Sequence, residues 1–143
     1  MNEATKKLLQ ECTSGCKMAI ESMEQIEEYI CDKKLLEIVQ KYNQKHADLE
    51  EESAKLLEEA GKEEKEPGAM ASAFSWLTTE VKLMIKDDAH QIAKLLMNGC
   101  NMGIQSISEQ VNKYTLAEEK AKSIAKKLIK LEEDFMKEMR VFL

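Results

Sequence analysis

The 143-residue chain is expected to be all-α, and three observations lead there. Helix breakers are few, with five Gly and one Pro, while Ala, Leu, Ile, Met, Glu and Lys dominate and aromatics make up 5%; that is the usage of a helical protein. Apolar residues recur in steps of three and four over long stretches. Cap and turn signals separate those stretches. The length fits one domain, residues 1–143, able to bury a proper core.

Leu9, Cys12, Cys16, Ala19, Met23, Ile26 and Ile30 form the first apolar seam, predicting a helix near 3–30. Asp32, in "YICDKK", is suited to cap the next helix. The second seam runs through Leu35, Val39, Tyr42, His46, Leu49, Ser53, Leu56 and Ala60, predicting a helix near 33–60 that stops at Gly61. "EEAGKEEKEPGAM" then reads as a charged linker over 61–68. Met70, Phe74, Leu77, Val81 and Met84 predict a short amphipathic helix near 69–85. Trp76 is expected to anchor it. Asp87 or Asp88 is the next candidate cap, before a seam of Ile92, Leu96, Cys100, Gly103, Ile107 and Val111 near 87–113. "YTLAEE" reads as a capping box, with Thr115 as the cap and Glu118 three residues later. It predicts a last helix near 116–142, seamed by Ala117, Ala121, Ile124, Leu128, Leu131, Phe135 and Phe142.

Shallow packing of such helices gives a four-helix bundle. The short helix spans roughly 24 Å at 1.5 Å per residue, enough to carry the chain most of the way back along it. The predicted order is therefore hairpin, crossover, hairpin. On "LLQECTSGCKMAIESMEQI" in the first helix, "EKEPGAMASAFSWL" in the crossover and "DDAHQIAKLLMNGC" opening the third long helix, the chain resembles the ferritin-like superfamily, and more narrowly small bacterial ferritin-like bundles of unassigned function. The resemblance spans nearly the whole chain. It implies a ferritin-like four-helix bundle with a short additional crossover helix, and a homodimer.

Ferritin-like di-iron centres take a Glu from each of two helices and Glu-x-x-His from each of the other two. The chain has two histidines. Asn43 stands three before His46, Asp87 stands three before His90, and the last helix has no histidine. Most glutamates, among them Glu21, Glu24, Glu27 and Glu28, fall off the seams and read as solvated faces. The di-iron ligand set is incomplete, so iron oxidation chemistry is not expected.

Antiparallel helices pair residues equidistant from their turn. Cys16 and His46 each lie about 15 residues from the first turn, and Cys100 falls within about a turn of the same layer. Cys12 sits one turn further along the same face. Cys12, Cys16, Cys100 and His46 are thus expected near mid-height. The first reading of them is core, with His46 bonded to Ser53 or Tyr42. The alternative is a soft-metal site for Zn or Cu, since thiolates with one imidazole suit those ions. Cys31 is expected in the first turn, exposed. Asp87-x-x-His90 reads as capping, and the lysines from Lys120 to Lys130 as a solvated face.

The net charge of −6 makes a nucleic-acid partner unexpected. No apolar run approaches the roughly 20 residues of a membrane span. The opening "MNEATKKLLQ" lacks a basic-then-apolar leader, so a cytoplasmic protein with reduced thiols is expected. There is no Gly-rich phosphate loop and no nucleophile–His–acid pattern. The expected function is non-enzymatic, acting by self-association or contact with a protein partner and without a cofactor, unless a Zn or Cu ion is held.

Overall fold

A computed structural model describes residues 1–61, 81, 85 and 88–143. They are all-helical in architecture: α1 (Glu3–Glu27), α2 (Lys33–Glu59), α3 (Ala89–Lys113) and α4 (Glu119–Met139), followed by one 3₁₀ turn at Arg140–Phe142. The expected linker and crossover helix lie outside the described residues except at Gly61, Val81 and Ile85.

Local chemistry sets most helix ends. Free N–H groups in a first turn need acceptors. The Asn2 side chain accepts from the Thr5 N–H at 2.8 Å, Asp32 from Leu35 at 3.0 Å and Asp88 from Gln91 at 3.1 Å. Gly61, with φ of 69°, stands just past the end of α2, in the left-handed conformation that glycine adopts without a Cβ penalty.

The last helix corrects the sequence reading. Residues 115 and 116 form a turn, and Glu118 occupies the N-cap position without a side-chain cap bond. The acceptor comes instead from α1: the Thr5 hydroxyl oxygen takes the Glu118 N–H at 2.7 Å and donates its own hydrogen to Asn2. The Asn2 amide in turn donates to the Leu116 carbonyl at 2.9 Å. The starts of α1 and α4 are thereby tied together, and a tertiary acceptor replaces the local Thr115 box.

Two buried clusters give the direction of each helix. One gathers Met23 and Ile26 from α1, Leu35 and Val39 from α2, Ile92 and Leu96 from α3, and Phe135 and Met139 from α4; Ile85 joins it, fully buried. The other holds Leu8 and Leu9, then Leu49 and Leu57, then Ile107, then Ile124 and Leu128. So α1 rises, α2 and α3 descend and α4 rises. The chain leaves the lower end after α2 and re-enters at the upper end before α3. Within this four-helix arrangement, α1 pairs with α2, α3 with α4, α4 also packs on α1 and α2, and α1 faces α3. Burying a Leu or Ile side chain is worth roughly 1.5–3 kcal/mol. The two clusters therefore hold the helices together, since isolated helices of this length are marginal.

A small polar seam joins α1 to α2. The hydroxyls of Thr13 and Ser53 lie 2.7 Å apart, and both donate toward the Leu9 carbonyl, at 2.9 and 3.2 Å. Ser53 is therefore engaged with α1 and is not the partner of His46.

Candidate functional site

His46, on the buried side of α2, is fully inaccessible. Its ring nitrogen Nδ1 lies 2.6 Å from the Tyr42 carbonyl oxygen one turn earlier. A carbonyl only accepts, so Nδ1 carries the hydrogen. The other nitrogen, Nε2, meets a carboxyl oxygen of Glu132 from α4. Glu132 is itself only 7% exposed. One proton lies between ring and carboxyl, and wherever it sits the pair is neutral overall. That arrangement meets the rule that a buried charge must be paired and hydrogen-bonded. Phe135, one turn beyond Glu132, stacks on Tyr42 with ring centroids 4.7 Å apart and presents its edge to His46. The Tyr42 hydroxyl donates to Glu138, which pins that ring from the far side.

Three of the four candidate ligands gather around Glu132. The Cys100 thiol of α3 donates to its carboxyl. Burial first, then the Glu132 charge, pushes that thiol far above the ordinary range. Cys16 of α1 is raised in the same direction by burial, then by Cys12, Glu132 and Glu50. Cys12 lies one turn below in the lower cluster, pushed up to about 12 by burial and the nearby Glu11. Cys16, His46 and Cys100 thus have Glu132 as a common neighbour, although Cys16 packs in the lower cluster and Cys100 in the upper. Among the described residues, no group of three or more His, Cys, Asp or Glu side chains is arranged to hold a metal ion. Cys31 is exposed in the first turn. Asp87 lies outside the described residues, and His90 is exposed with Nδ1 3.2 Å from the Phe142 carbonyl.

Above the His46–Glu132 pair a groove of about 510 Å³ opens between α1 and α3. Its walls carry few side chains. On α1 the facing row is Gly15, Ala19 and Ser22; on α3 it is Gly99, Gly103 and Ser106. Both rows follow the spacing i, i+4, i+7, which keeps one helix face small. Met18, Met23, Leu95, Leu96 and Ile107 supply apolar surface along the sides, and Leu128, Phe135 and Cys100 line it together with the pair. A Cβ placed on Gly103 would stand 3.8 Å from the second carboxyl oxygen of Glu132, and one on Gly99 would meet nothing within 4 Å. The empty space is therefore made by missing side chains.

Glu132 had a legible signal. It stands four after Leu128 and three before Phe135, a seam position, whereas the three-and-four pattern also admits Leu131 there. Leu131 is only partly buried. The two small-residue rows were legible as well, although no single helix shows that they face each other.

Compared with family models, with curated proteins and with solved structures, the chain matches none.

Proposed function

We propose that this chain is a non-enzymatic helical bundle that binds one mainly apolar small molecule in the groove between α1 and α3. The observation that carries the reading is the groove itself: about 510 Å³ of space, apolar along its sides, with a buried hydrogen-bonding pair at one point of its lining. Ligand sites have this make-up, a concave apolar pocket of roughly 300–1,000 Å³ with a few fixed polar groups. Core helices normally close such space at crystal-like density. The three mid-bundle thiols are held in the protonated form by burial, which removes them as nucleophiles at neutral pH. The order of helix directions supports kinship with ferritin-like bundles.

Uptake of the neutral dye N-phenyl-1-naphthylamine tests this. The wild type is expected to bind it and brighten its emission. Gly103→Leu is expected to weaken binding at least about tenfold, or about 1.4 kcal/mol, with helical circular dichroism unchanged, because the new side chain enters the groove. Equal uptake by both proteins would remove the groove as the site. Stoichiometric zinc or copper in protein purified without chelator would replace this reading with the soft-metal one. A second reading, contact with another chain, draws on Met102, 63% exposed on the groove's edge. A stable dimer in sedimentation, lost in Met102→Glu, would favour it.

A further inference from the structure

From the charges around the groove we infer the class of ligand, resting on the groove reading above: an uncharged, mainly apolar molecule with one hydrogen-bond donor, such as a long-chain or polycyclic alcohol, whose hydroxyl donates to Glu132. Three observations lead to this class.

The first is the fixed proton count at the site. The Tyr42 carbonyl holds the hydrogen of His46 on Nδ1, so His46 and Glu132 share one proton and form a neutral pair. A charged head group brought beside a neutral pair in an apolar pocket would lose its hydration without gaining a counter-ion.

The second is the set of charges lining the groove. Among the described residues the acidic and basic side chains there are Glu11 and the neutral His46–Glu132 pair, with no Lys or Arg. A ligand carboxylate or phosphate would find no lysine or arginine there and a His46–Glu132 pair of zero net charge, so nothing offsets its lost hydration.

The third is the acceptor itself. Glu132 has two oxygens. One meets His46, and the other points toward the backbone of Gly103, where no side chain intervenes. That edge of the carboxyl can accept from a small donor sitting against α3, in addition to the Cys100 thiol. The apolar rest of the molecule then lies along the glycine and methionine surface above.

Displacement of N-phenyl-1-naphthylamine by three ten-carbon probes, 1-decanol, decylamine and decanoate, below their aggregation concentrations near pH 7, tests the inference. Decanol is expected to displace at the lowest concentration, decylamine next, and decanoate at least about tenfold higher. In the double variant His46→Leu/Glu132→Leu no carboxyl acceptor remains for the hydroxyl, and the gap between decanol and decanoate is expected to narrow. Decanoate or decylamine displacing as well as decanol would overturn the inference while leaving the groove reading intact. An unchanged gap in a folded His46→Leu/Glu132→Leu protein would also overturn it, since the head group would then sit elsewhere. Should that variant lose its helical signal, the order of the three probes on the wild type decides alone. If the wild type takes up no dye, the groove reading itself fails.

Discussion

Glu132 and His46 show how one buried side chain sets the requirements on another. Taken alone, either would be an unsatisfied polar group in a core, and removing one partner of a buried pair costs roughly 3–5 kcal/mol. His46→Ala is therefore expected to destabilise by about that amount, and Glu132→Leu similarly. The double variant His46→Leu/Glu132→Leu is expected to recover most of the loss, because no uncompensated group remains. Urea titrations of the four proteins measure the coupling, and additive losses would show that the two residues are not paired. The thiols make a second residue-scale prediction. Cys12 is raised to about 12 from an ordinary 9.0. Below about pH 9 the thiol is protonated in both folded and unfolded chains, and its contribution is fully present. Above that, the unfolded chain gives up the proton while the folded one retains it. Stability therefore falls by about 1.4 kcal/mol per pH unit for one such thiol, up to about pH 12. Cys16 and Cys100 act with the same sign. Unfolding midpoints at pH 8, 9 and 10 should decline, and less steeply in Cys12→Ala.

At the scale of elements, the helices differ in how their ends are made. Asp32 and Asp88 cap from within their own segments, so sequence alone places those starts. The start of α4 depends on Thr5, 113 residues earlier in the chain. Thr5→Val keeps the shape of the side chain but removes the acceptor for Glu118 and the donor to Asn2. It is expected to cost about 1–2 kcal/mol, in the range of lost caps and unmet buried hydrogen bonds. Amide hydrogen exchange should rise at Glu118 and in the first turn of α4, and spare α2. Thr115→Ala, by contrast, is expected to change stability by less than about 0.5 kcal/mol, as Thr115 is exposed and caps nothing in the fold. The helices also differ in what they present to one another. The small rows on α1 and α3 line a groove, whereas Ala121, Ile124, Ala125 and Leu128 in the lower part of α4 pack into the lower cluster.

For the whole molecule, a ligand that enters the groove must stabilise the fold by mass action. At a hundred times Kd the gain is about 2.7 kcal/mol. Saturating decanol is therefore expected to raise Tm of the wild type and leave Gly103→Leu nearly unmoved, a comparison that differential scanning calorimetry makes directly. Among the described residues no helix is long and apolar enough to cross a membrane.

The sequence by itself determined the all-helical class, the four long segments and most of their ends. These follow from local rules: a 3.6-residue period, Asp at a helix start and Gly at its finish act through neighbours a turn or less away. Distance from the turn also pointed to Cys12, Cys16, Cys100 and His46 as one mid-height layer; in the fold Cys12 and Cys16 pack in the lower cluster and Cys100 in the upper. Only the tertiary structure decided what those residues meet. Glu132 looked like one glutamate among many until α4 turned it against His46, and the two small-residue rows became a groove only when α1 and α3 were set face to face. The start of α4 was decided the same way, by a threonine on another helix. In each case the deciding partner lies on a different element, and one-dimensional periodicity shows which face of a helix is buried but not which residue it will meet there.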